Sequence, residues 1–241
     1  MLRQLQLWDL GNVEQRWSVR QSARARRLSV RVFRNGGVEI VVPPRTSPHR
    51  VNAFVSEHRE WIERQRKRAV PQVDWPMPPA SLSLSGIDEE WRCRAGVNSE
   101  RLGLHEIRPG ELELHGSQHD REQVRHVFMR WLLQHAAARF DPLLRELAVQ
   151  MGVKPGKVQI RCQRTRWGSC SRRSTVSLNV CLLFQRPEVL RYLMIHELAH
   201  LRQMNHSDRF WAEVARYEPD WKVLDRELQQ GWRRVPAWIF R

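Results

Sequence analysis

The chain has 241 residues, 41% of them apolar, and a formal net charge of +15, which is enough apolar material for one large buried core or two small ones. No stretch approaches the ~18 consecutive apolar residues of a membrane span, and Met1 to Leu10 has neither the apolar run nor the small-residue cleavage site of a signal peptide. These features lead us to expect no membrane partner and a soluble globular protein, cytoplasmic by default.

From Arg16 to Arg34 there are seven arginines and no acid, an arrangement that raises local positive potential and favours polyanions such as nucleic acid. Within it Leu28, Val30 and Val32 alternate with polar residues, Asn35-Gly36-Gly37 supplies turn residues, and Val38, Ile40 and Val42 alternate again. A β-hairpin is expected there. Pro43-Pro44 ends it, and Ser47-Pro48 can cap and open a helix on which Val51, Phe54, Val55, His58, Trp61 and Ile62 recur at helical spacing to about Lys67. Four prolines between Pro71 and Pro79 predict a linker over 70–80. Short strands are expected at Leu82 to Leu84, Trp91 to Cys93 and Leu102 to Ile107, with Pro109-Gly110 turning into Leu112 and Leu114. Residues 1–116 thus read as a β-rich α+β unit with one helix.

From Gln118 the period turns helical through Val124, Val127, Phe128, Trp131 and Leu132, with a kink or interruption expected at Pro142 before Leu143, Leu144 and Leu147. Val158, Ile160 and Cys162 alternate as a strand, Arg164 to Ser174 reads as a loop, and Val176, Leu178 and Val180 form a second strand. Five arginines and no acid lie between Arg161 and Arg173. The four cysteines, Cys93, Cys162, Cys170 and Cys181, form no C-x-x-C pair and read as free, mostly buried thiols. Pro187 and Glu188 open a helix rich in apolar residues, Asn205 is placed to end it, and Ser207 caps the next segment of Phe210, Trp211, Val214 and Tyr217. A last helix is expected over Trp221 to Gln230, ending at Gly231. Residues 117–241 form the second expected domain.

The chemistry is stated by His196-Glu197-Leu198-Ala199-His200. Residues four apart share a helix face, so two imidazoles can grip one Zn²⁺ while Glu197 reaches a metal-bound water as general base. On a continuous helix His206 would lie about 9 Å along and roughly 240° round from His200. A turn at Asn205 can fold it back as the third ligand, leaving one tetrahedral position open as catalysis requires. Glu213, Glu218 and Glu227 are the rival third ligands.

Three blocks carry a family resemblance: Arg164-Thr165-Arg166-Trp167-Gly168-Ser169-Cys170-Ser171, then Leu178-Asn179, then His196 through Trp211. Together with Ser22 to Val30 and Trp61-Ile62, they resemble the YgjP-like group of metal-dependent hydrolases, akin to SprT-like and minigluzincin zinc metallopeptidases. The resemblance implies zinc ligands at His196, His200 and His206 and a base at Glu197. It also implies a zincin-like α+β catalytic domain, with an antiparallel sheet whose edge strand pairs with an extended peptide; Val176 to Val180 is the expected edge. Some SprT-like relatives digest proteins crosslinked to DNA, which the arginine runs would suit.

The leading expectation is a zinc metallopeptidase acting on a peptide or protein, with Tyr217 or an arginine of the 164–173 loop, Arg164 and Arg166 first, contacting substrate. A second is a zinc phosphohydrolase on nucleotides, in which Arg164, Arg166, Arg172 or Arg173 clamp phosphate oxygens. A third is a nucleic-acid-binding module with structural zinc, in which Trp17 and Trp167 stack on bases.

Overall fold

The computed structural model describes residues 17–33, 37–67, 77–97 and 99–240. The N-terminal ten residues, the Asn35-Gly36 turn and most of the expected linker lie outside them. The described residues form two units, within Met1–Val73 and Asp74–Arg241.

In the first unit, β1 (Trp17–Gln21), β2 (Ser29–Val32) and β3 (Val38–Val42) form a sheet in the order β1-β3-β2. The expected hairpin is the antiparallel β2–β3 pair, and β1 adds parallel to β3 from within the arginine run. Ser47 Oγ accepts from the Arg50 amide at 3.4 Å and Pro48 opens α1 (Pro48–Glu57). The single expected helix is broken at His58 before α2 (Arg59–Lys67): the ring Nδ1–H and the backbone N–H of His58 both donate to the Phe54 carbonyl. A small core of Ile40, Val42, Val51 and Val55 joins sheet and helix.

The second unit begins with a four-stranded sheet of β4 (Ser81–Leu84), β5 (Glu89–Ala95), β6 (Gly103–Arg108) and β7 (Glu111–His115), ordered β4-β5-β7-β6. Its alternate residues Leu82, Leu84, Trp91, Leu112 and Leu114 are buried in the same core as the long helix α3 (Arg121–Met151). These strands, read from sequence as part of the N-terminal half, therefore share their core with the C-terminal half of the chain. Asp120 caps α3 by accepting from the amides of Glu122 and Gln123, and Gly152 ends it at φ 64°. Pro142 does not interrupt it. Both Pro142 and Ala138, whose carbonyl loses its amide partner, lie on the exposed face, where that carbonyl is open to solvent.

A three-stranded sheet comes next: β8 (Val158–Arg161), β9 (Gly168–Cys170) and β10 (Val176–Asn179), in the order β8-β10-β9. It is mixed: β10 runs parallel to β8 and antiparallel to β9. The strand expected at the edge, β10, is the central one, and all four of its residues are buried. Against this core lies α4 (Pro187–Ala199), followed by α5 (Asp208–Tyr217) and α6 (Trp221–Gln230). The α+β architecture expected for a zincin-like domain is present, and no described helix is long and apolar enough to cross a membrane.

Candidate metal centre

Helix α4 begins as its sequence predicts, with Pro187 in the first turn after an extended Arg186 and Glu188 at the positive end of the dipole. It is buried on nearly every side, from Val189 to Ala199, with Glu197 4% and His200 8% exposed. The helix ends earlier than expected. Its last turn tightens through Leu201 N–H to Leu198 O at 3.0 Å and Arg202 N–H to Ala199 O at 3.0 Å. Asn205 is not among the residues at positive φ, so the reversal uses this tightened turn rather than a left-handed residue.

The reversal brings His206 back to α4. One nitrogen from each of His196, His200 and His206 lies within 4.8 Å of the others. His196 Nε2 and His206 Nε2 are 3.1 Å apart. The buried ring of Phe210, on the first turns of α5, contacts all three imidazoles at centroid distances of 4.9, 4.6 and 4.7 Å. Trp211 adds a wall at 5.7 Å from His196 and 5.6 Å from His206, itself stacked on Trp221 at 4.0 Å.

The other ring nitrogens fix the tautomers. His200 Nδ1 lies 3.0 Å from the Gln203 carbonyl, which can only accept, so Nδ1 carries the proton. Tyr192 Oη donates to Asp225 Oδ1 at 2.9 Å, leaving its oxygen to accept from His196 Nδ1 at 3.4 Å. Nε2 therefore holds the lone pair on both rings. Burial, then the neighbouring His200 and His206, push His196 down to about 3, and burial lowers His200 as well. His196 and His200 each present a ring-nitrogen lone pair, and His206 adds a third imidazole to the cluster. The donor set thus fits a divalent metal with an affinity for nitrogen.

The Glu197 carboxyl is buried beside this cluster, and its Oε2 has no hydrogen-bond partner among the described residues. Burial raises it to about 8, opposed by the Arg166 charge. Gly168 of β9 lies directly against it: a Cβ there would come within 2.5 Å of Glu197 Oε1. The strand is held by Asn179, fully buried, whose Nδ2 donates to the carbonyls of Gln163 and Arg166, each at 2.7 Å, and whose Oδ1 accepts from Cys181 N–H at 3.1 Å. Trp167 O accepts from Asn179 N–H and Ser171 N–H donates to Thr175 O. The alternation of an antiparallel pair then turns the main-chain groups of Gly168 and Cys170 away from β10, toward the open edge.

The rival carboxylates are engaged elsewhere: Glu213 with Arg202, Glu218 with Arg191 at 2.6 Å, and Glu227 with Arg186 at 2.8 Å and Arg234 at 2.6 Å. Arg164 donates to the Phe240 carbonyl at 2.6 Å, so it braces the C-terminal turn. Arg166 is exposed and acts electrostatically on Glu197. Tyr217 ends α5 beneath Arg216, and among the described residues it makes no ring contact with the imidazoles. Trp167, considered as a base-stacking residue, is 8% exposed and stacked on Trp232 at 4.0 Å. Phe210, Tyr192 and Asp225 were not singled out from sequence, since an apolar or polar residue at helical spacing carries no mark of what it touches.

The family model for the YgjP-like metallopeptidase domain matches residues 26–231. No curated relative matches the chain. Among solved structures, the metallopeptidase zymogen abylysin of Pyrococcus abyssi is similar at 30% identity, over 39% of this chain and 97% of that one, with a TM-score of 0.35. Jannalysin of Methanocaldococcus jannaschii, also a metallopeptidase zymogen, is similar at 20% identity, over 38% of this chain and 94% of that one, with a TM-score of 0.34.

Proposed function

The chain belongs to the YgjP-like metallopeptidase family, and from that premise we propose that it is a zinc-dependent peptidase in which His196, His200 and His206 hold the metal and Glu197 moves the proton. The observation that carries this reading is the buried Glu197 carboxyl, with Oε2 unpartnered, beside three convergent imidazoles. A purely structural zinc has no use for a carboxylate held in that state. Bound zinc supplies Lewis-acid polarisation of the scissile carbonyl and acidifies a water.

The protein's own groups supply the rest. An extended peptide pairs with the outward main-chain groups of Gly168 and Cys170. Glu197 Oε2 accepts the proton of the attacking water and returns it to the leaving amine. Phe210 and Trp211 keep bulk water from the ligand rings. The test is cleavage of an unfolded casein substrate by the zinc-loaded chain beside Glu197→Gln. Equal rates in both would overturn the assignment.

A second reading, a phosphohydrolase acting on nucleotides, draws on Arg166, an exposed cation in electrostatic reach of Glu197. Charge-assisted contacts to phosphate are worth roughly 1.5 to 3 kcal/mol each. Nucleotide hydrolysis that disappears in a stable Arg166→Ala variant, with no peptide cleavage by the wild type, would favour it.

A further inference from the structure

Outside the metal centre, two thiols meet. Parallel β8 and β10 pair Arg161 with Asn179, so the chain emerges from both strands side by side at Cys162 and Val180-Cys181. The Asn179 side chain binds these exits together, donating to the carbonyl of Gln163 on one and accepting from the amide of Cys181 on the other. Cys162 is exposed, whereas Cys181 is fully buried behind it. A hydrogen bond from the Cys181 thiol holds the Cys162 sulfur toward thiolate, with the charges of Arg164 and Arg125 adding to it. Burial and the Cys162 thiolate push Cys181 the other way. The remaining cysteines lack this setting: burial raises Cys93 to about 12 and Cys170 to about 11.

An exposed sulfur between arginines, backed by a second thiol in contact, is the arrangement that reacts with peroxide and then closes. We propose that Cys162 and Cys181 form a peroxide-modified pair, Cys162 attacking and Cys181 resolving. The Cys162 thiolate attacks one oxygen of hydrogen peroxide; the S–O bond forms, the O–O bond breaks, and the hydroxide that leaves becomes water with the proton that the Cys162 thiol gave up. The Cys181 sulfur then attacks Cys162; the S–S bond forms, the S–O bond breaks, and the departing hydroxide takes the thiol proton as water. Two thiols are oxidised to one disulfide, and peroxide is reduced to two waters.

The test is peptide mapping of the zinc-loaded full chain after limited hydrogen peroxide, before and after dithiothreitol. The expected result is a reductant-sensitive Cys162–Cys181 crosslink, formed at least about tenfold faster than oxidation of Cys93 or Cys170. In Cys181→Ala, Cys162 should accumulate as sulfenic acid captured by dimedone, and in Cys162→Ser, Cys181 should stay unlabelled. Oxidation of Cys93 or Cys170 before Cys162 in the wild type would overturn the proposal, and that measurement needs no variant to fold. Direct labelling of Cys181 in Cys162→Ser would overturn it as well.

Discussion

A single missing methyl group positions the proposed base. Gly168 leaves the space that Glu197 fills, because a Cβ would come within 2.5 Å of Oε1 and 2.9 Å of Cγ. Gly168→Ala should keep stoichiometric zinc yet lower kcat by about tenfold or more, since the displaced carboxyl no longer reaches the reacting water. Zinc analysis and single-substrate kinetics together check it; an unchanged kcat would show that Glu197 can shift without loss. Glu197→Gln should also retain zinc, with a rate loss on the order of a hundredfold to ten-thousandfold. At this scale the sequence was most informative for His196, Glu197 and His200, because a helix converts fixed spacing into a shared face. The contact between Gly168 and Glu197 was not legible, since 29 positions separate them in the chain and only the fold brings strand to helix.

Between elements, the reversal after α4 and the Asn179 clamp do the positioning. His206 reaches the other imidazoles because the chain tightens at Leu201 and Arg202 and re-enters α5 at Asp208. His206→Ala should weaken zinc binding strongly, whereas Glu213→Ala and Glu218→Ala should leave it nearly unchanged, because those carboxylates are paired with Arg202 and Arg191. Equilibrium zinc titration distinguishes the two outcomes. Asn179→Ala leaves the Gln163 and Arg166 carbonyls without their donor. Each stranded group costs about 1 to 3 kcal/mol, so the variant should melt well below the wild type. Sequence periodicity located β8, β10 and the helices but could not order them. It missed β9, whose Gly168–Cys170 lies in the segment read as a loop from Arg164 to Ser174, because three residues without apolar alternation carry no strand signal. The Val176–Asn179 strand reads as half-buried by alternation, yet neighbours on both sides make it central.

Across the whole molecule, the described residues that touch the imidazoles lie within Asp74–Arg241, so a metal held there is tied to the folded state of that unit. Zinc should therefore stabilise the chain by mass action, by about 4 kcal/mol at a free concentration a thousandfold above Kd. Calorimetry with and without a chelator measures this. Acid sensitivity has a separate origin. Glu227 on α6 is held down to about 2 by Arg186, ahead of α4, and by Arg234 beyond α6. A depressed carboxylate contributes fully above its ordinary pKa of 4.5, and the contribution fades as pH falls toward about 2. Solvent screens this partly exposed group, so it is worth about 1 kcal/mol per pair at most. Denaturant midpoints should fall less steeply across that window in Glu227→Gln than in the wild type.

The edge strand beside the centre has a consequence for which proteins such an enzyme can cut. Gly168 and Cys170 offer two amides and two carbonyls to an incoming chain, and at about 1 kcal/mol net for each bond the strand contributes about 4 kcal/mol. Opening a folded domain costs about 5 to 15 kcal/mol. On the proposed peptidase reading, so short a strip does not offset the opening of a native target, which favours a cleavable segment that is already loose, as in a nascent, damaged or intrinsically unstructured polypeptide.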